Sequence, residues 1–100
     1  MGKEVILTPI AVNDFENVVA YLTYKWWIQA TNNFIDRFEK VCVLLSEDAS
    51  MFPFVNLNKQ IQKCILTKHN ALYFKNTDVA VKILTIFDTR QNPEKLNSIF

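Results

Sequence analysis

The apolar residues of this chain change their spacing once, near Asn58, and that change restricts the folds open to it. Before it, Trp27, Ala30, Phe34, Phe38, Val41 and Leu45 recur at steps of three and four, the period of a helix with one buried stripe. Ala11, Phe15, Val18 and Leu22 repeat the same spacing further upstream. After it, Val79, Val81, Ile83, Thr85 and Phe87 alternate with Ala80, Lys82, Leu84 and Ile86, the period of a strand. A chain that is helical in its first half and extended in its second must lay helices on a sheet.

The boundaries follow from local chemistry. Residues 4–8 read as a short strand. Thr8-Pro9 predicts a helix start, with Thr8 as N-cap and Pro9 where a missing N–H costs nothing. This helix should run to about Tyr24, with Asp14 and Glu16 loosely placed for its dipole. Lys25-Trp26 makes a corner, and a second helix is expected over about Ile28 to Leu45. So short a link predicts an antiparallel helical hairpin, with Trp26 and Trp27 packed at its corner. Ser46 to Asn58 has no period and reads as a loop over one end of the core. Strands are expected over Gln60–Thr67, Ala71–Lys75 and Val79–Phe87, separated by the polar breaks Lys68-His69-Asn70 and Asn76-Thr77-Asp78. The apolar face of the last strand should pack on the helices. The tail, Gln91 to Phe100, has room for a turn or short helix after Pro93, and Leu96, Ile99 and Phe100 are apolar enough to dock. The expected class is α+β, order β-α-α-β-β-β, a helical hairpin on a small antiparallel sheet, with residues 1–100 as one domain.

Composition excludes several classes. With 50% hydrophobic and 13% aromatic residues, the chain can build a core and is not of the disordered type. No apolar run approaches the ~18 residues of a membrane span, and Val5-Ile6-Leu7 is too short for a signal peptide. The two cysteines, Cys42 and Cys64, lie in apolar runs without metal-ligand spacing, and His69 is the sole histidine. Two buried thiols in a cytoplasmic protein, with no metal and no cofactor, are expected. Net charge is +1, but residues 1–50 carry four basic against seven acidic groups and residues 51–100 seven against three. The basic second half points to an anionic partner or an acidic protein surface.

The element order and length resemble the ParE/RelE toxins, the poison half of type II toxin–antitoxin pairs, with local matches along most of the chain. Leu7-Thr8-Pro9 followed by Val19-Ala20-Tyr21-Leu22 looks like the family's strand, "(S/T)P" and "I-x-x-Y-L/I" helix. Trp26-Trp27, Ala30 and Phe34 resemble its "W-x-x-x-x-A-x-x-F" second-helix opening. Thr67 to Phe74 is similar to the "K-H-x-x-L-(Y/F)-Y" hairpin of members described as plasmid stabilisation proteins. Ile83 to Pro93 looks like the final strand and its "(F/W)-D-x-R-x-(D/N)-P" exit. The resemblance implies a growth-inhibiting toxin held in a hetero-oligomer by a cognate antitoxin that wraps over it. ParE-like members poison DNA gyrase, and RelE-like members cut messenger RNA on the ribosome.

RNA cleavage by 2′-OH attack needs a base, cations on the phosphate and an acid for the leaving oxygen. RelE-like members supply two second-strand lysines, two arginines and a C-terminal tyrosine or histidine. Carried over by position, the fourth-strand arginine is Arg90. The other positions hold Gln62, Cys64, Ala71 and Leu96. A rearranged set of Lys59, Lys63, His69 and Arg90 is the remaining RNase candidate. Trp26, Trp27, Lys63, Lys68, Tyr73 and Arg90 are candidate partner contacts, with Arg90 alternatively pairing Asp88 and His69 serving as a turn residue. Three readings stay open: a ParE-like toxin acting by binding, a RelE-like endoribonuclease, and a non-toxic remnant that still binds an antitoxin.

Overall fold

A computed structural model describes residues 2–100. Strand β1 (Glu4–Leu7) leads into helix α1 (Pro9–Lys25), and α2 (Ile28–Asp48) returns against it. Then follow a 3-10 turn at Ala49–Met51, β2 (Phe54–Asn56), β3 (Ile61–Thr67), β4 (Asn70–Asn76), β5 (Ala80–Asp88) and a 3-10 helix at Pro93–Ser98. The strands form one sheet in the order β1-β5-β4-β3-β2. The expected helical hairpin on a sheet is therefore present.

Two details differ from the expectation. The sheet is mixed, not wholly antiparallel, because β1 runs parallel to its neighbour β5. Everything from α1 to β4 separates them in sequence, and the α1–α2 hairpin carries the chain across the sheet, the long connection that parallel pairing requires. The stretch read as loop also contains β2, a three-residue edge strand paired with the start of β3. No periodicity can show over so few residues. Gln62, wholly buried, fixes this stretch by donating from Nε2 to the carbonyls of Ala49 (2.8 Å) and Phe52 (2.9 Å).

Helix α1 begins as its sequence dictates. The Thr8 hydroxyl accepts from the Ala11 N–H at 3.2 Å and donates to the Leu84 carbonyl at 2.9 Å, so the cap also ties the helix to β5. Three residues on, beyond Ala11 in the buried stripe, Asp14 accepts from the Thr85 hydroxyl and from the Ile86 N–H (3.1 Å). Both contacts fall on an irregularity in β5. Tyr73 of β4 faces Thr85, whereas Phe74 faces Ile83, which leaves Leu84 without a residue opposite. This is a β-bulge, and it inverts the alternation of the strand beyond it.

Two apolar clusters result, one on each face of the sheet. Val81, Ile83 and Ile86 join Phe34, Val41, Leu45, Leu72 and Phe74 under the helices. Phe87, whose spacing predicts the helix face, lies instead on the outer face with Ile61, Ala71, Tyr73 and Leu96. The tail covers that outer cluster, with Phe100 5.3 Å from Tyr73 between ring centroids. Burial of both faces is what lets so small a domain remove enough apolar surface from water.

Removing the Asp14 carboxylate leaves the Ile86 N–H and the Thr85 hydroxyl without their acceptor. Asp14→Ala is expected to cost about 1–3 kcal/mol in urea unfolding, and Glu16→Ala, on the exposed side, less than about 0.5 kcal/mol. Cys42 and Cys64 are free thiols among the described residues. Burial pushes the Cys42 thiol up from 9.0 to about 11, with the Glu39 carboxylate adding to the effect. An acid whose folded-state pKa is raised stabilises the fold below its unfolded pKa and loses that contribution as pH rises through the folded one. Melting temperature should therefore fall between pH 9 and 11, less steeply in Cys42→Ala, and folded protein at neutral pH should resist thiol alkylation.

Candidate functional site

A groove of about 860 Å³ opens between the helical hairpin, the end of β5 and the tail. Its wall on the hairpin side carries Val18, Tyr21, Leu22 and Trp26, with Phe34 from α2. Its floor is Thr85 and Ile86, the residues that Asp14 holds just past the bulge. The opposite rim carries His69 from the β3–β4 turn, Arg90 from the strand exit and Lys95 from the tail. One end is therefore aromatic and aliphatic, and the other polar, with Lys95, the Arg90–Asp88 pair and the His69 imidazole. A pocket with an apolar bed and a few directed polar groups suits an amphipathic segment.

Arg90 is not free in this state. Its guanidinium donates from Nε (3.0 Å) and one terminal nitrogen (2.8 Å) to the two oxygens of Asp88, and its own N–H also reaches Asp88. The side-chain hydrogen bond from Arg90 is the main reason the Asp88 carboxyl sits below its ordinary value. The pair is exposed, so it contributes orientation more than stability.

Trp26 and Trp27 depart from the predicted corner packing. Trp26 lines the groove and is more than half exposed, and Trp27 is 81% exposed. Trp27 is the N-cap of α2 with φ 131° and ψ 158°, so the periodic stripe begins one step later, at Ala30. That backbone region is costly for a residue with a Cβ, and it turns the indole outward. With Tyr24 and Ile28, also largely exposed, it forms an apolar tip on the hairpin.

The remaining candidates are scattered. Lys68 is exposed in the β3–β4 turn, beside His69, whose N–H donates to the Thr67 hydroxyl. Lys63 and Tyr73 face each other on the outer side of the sheet, with the Lys63 ammonium 5.9 Å from the Tyr73 ring centroid. Lys59 donates to the Phe100 carbonyl at 3.0 Å. The set Lys59, Lys63, His69 and Arg90 thus does not converge. The first two belong to the outer face, the last two to the groove, and Lys63 lies four strand residues from Thr67, roughly 13 Å. The positions that match the RNase pattern have structural duties: Gln62 holds the 49–52 loop, Cys64 is in the core, and Ala71 and Leu96 fill the outer cluster. Among the described residues no three His, Cys, Asp or Glu side chains come together as metal ligands.

Tyr21 and Asp14 are site residues that the sequence reading did not assign. Asp14 could have been found, since an acid sits between Ala11 and Val18 on the buried stripe, where a carboxylate needs partners.

No protein-family model matches the chain, and no curated protein matches it in sequence. The fold itself is shared. The α+β unit with a helical hairpin between β1 and the remaining strands is ParE-like in fold. A chain of the structure "Chromosomal ParDE TA system from P. aeruginosa" superposes on it with a TM-score of 0.72 at 11% identity, over 86% of this chain and 95% of that one.

If the Trp27 backbone is strained to present its side chain, glycine should relieve it. Trp27→Gly is expected to raise stability by about 1 kcal/mol in chemical denaturation, although a large side chain is lost. A loss of stability instead would mean that the indole packs.

Proposed function

We propose that the chain is the toxin of a type II toxin–antitoxin pair, of the ParE-like kind, acting by binding a target and silenced by an antitoxin segment seated in the groove. What supports this most is the fold: the likeness covers nearly all of both chains, and the counterpart belongs to a toxin–antitoxin system. The groove adds a physical reason. An amphipathic segment would set its apolar side against Tyr21, Leu22 and Trp26 and its carboxylates against Arg90 and Lys95. DNA gyrase is the target we favour, because ParE-like action needs a surface and no constellation of bond-breaking groups.

The RelE-like alternative has less support. Its four candidate residues are divided between two regions, and proton transfer demands groups within hydrogen-bond reach of one phosphodiester. An antitoxin-binding remnant differs from the toxin in one respect only, the effect of expressing it alone.

Induced expression without a partner is expected to arrest growth, and purified protein to inhibit gyrase supercoiling. Co-expression of a small DNA-binding neighbour should restore growth, and Trp26→Ala with Arg90→Glu should weaken that rescue at least about 10-fold in complex affinity. Harmless expression sinks the toxin reading. Arrest with full gyrase activity and cuts within translated codons moves the assignment to the ribonuclease.

A further inference from the structure

A second groove, of about 500 Å³, lies between α2 and the edge of β3 and shares no lining residue with the larger one. Arg37, Val41 and Leu44 line it from one stripe of α2, and Cys64 and Ile65 line it from β3, with Phe52 and Pro53 adding to the apolar wall. Leu44 and Ile65 are exposed, so the fold leaves this apolar surface in water. The cation of the groove is oriented. Arg37 donates from Nε to the Leu66 carbonyl at 3.0 Å, and its terminal nitrogens have no partner among the described residues. Burial raises the Cys64 thiol above its ordinary value, and the Arg37 charge counters part of that rise, as a guanidinium held over this wall should. Lys63, the other cation of the lining, has its ammonium 5.9 Å from the Tyr73 ring centroid. No acid lines the groove among the described residues; Asp36 and Asp48 of α2 are engaged with Lys40 and Ser50. A fixed guanidinium fork beside an apolar trough suits a carboxylate.

The shape selects the occupant. Arg37 to Leu44 spans about two turns of α2, ~10 Å, too short a bed for a docked helix. A peptide strand has little edge to add to. The Lys63 N–H already donates to the Pro53 carbonyl, Pro53 has no N–H to continue a ladder, and a bulge at Leu66 turns the next carbonyl toward Arg37. We infer that this groove binds a small carboxylate with an apolar body ~10 Å long, of the medium-chain fatty acid class, its head on the Arg37 guanidinium and its body along Val41, Leu44 and Ile65. The site stands apart from the antitoxin groove and does not rest on the toxin reading.

The test is an amide-shift titration of the whole isotope-labelled chain with sodium octanoate below its micelle concentration. Saturable shifts are expected at Val41, Leu44, Cys64 and Ile65, with Kd on the order of 1 mM or tighter. Butyrate, which lacks the apolar length, should bind at least about 10-fold more weakly. Octanol, which lacks the charge, should also bind about 10-fold more weakly. Arg37→Gln should hold octanoate no better than octanol. Because that change also loosens the tie to Leu66, a second variant leaves Arg37 in place. Leu44→Glu, at an exposed position, should weaken octanoate at least about 10-fold with circular dichroism unchanged. Trp26→Ala should bind octanoate like the parent chain, whatever its effect on an antitoxin. Absence of saturation, equal affinity for octanol and octanoate, parental binding by both groove variants, or shifts confined to the larger groove overturns the proposal. So does saturable binding of an extended acidic peptide at this site in preference to octanoate.

Discussion

The fold depends on how the first two turns of α1 grip β5. Thr8 reaches the carbonyl of Leu84, and Asp14 takes the hydroxyl of Thr85 and the N–H of Ile86. A bulge leaves backbone groups out of the regular ladder, and unpaired buried groups are expensive. Here the helix supplies the missing partners, so the bulge is stabilised in one place. Its consequences are large, because a shift of one residue in a strand moves every later side chain to the other face. Ile86 joins the helix-side core, Phe87 goes to the outer side, and the tail gains an aromatic bed on which to lie.

The same shift shapes the groove. Thr85 and Ile86 become its floor because Asp14 draws them toward α1, and the chain leaving β5 carries Arg90 to its rim. Asp88 then holds the guanidinium in a fixed orientation through two hydrogen bonds. A partner carboxylate arriving there would compete with Asp88 for a guanidinium already positioned, which favours specificity over raw affinity. The outer face divides its residues differently. Aromatic rings are sealed under the tail, Lys63 and Lys75 are half-buried, and Lys82 is exposed.

Conflict between local pattern and final position marks one residue above others. Trp27 sits in step with the buried stripe of α2, yet the structure turns it out through a backbone conformation that resists any side chain. Local rules broken without a packing gain tend to coincide with sites that act on other molecules. The exposed tip it forms with Tyr24 and Ile28 is continuous with the groove through Trp26.

Much of this was legible in the chain itself. Period three-to-four in the first half, period two in the second, the short apolar run before Thr8-Pro9 and polar breaks between strands determined the helices, four of the five strands and the order of these elements along the chain, because these signals are local. Asp14 on an apolar stripe was a readable sign of a buried contact. What only the tertiary structure decided is whatever depends on one residue or on distant pairing. The parallel partner of β1 lies more than seventy residues away, and β2 is too short to show a period. A bulge at Leu84 leaves no trace in composition. The groove arises where separate elements meet, and the energy that brings them together is the burial of both faces of the sheet, which no single segment carries.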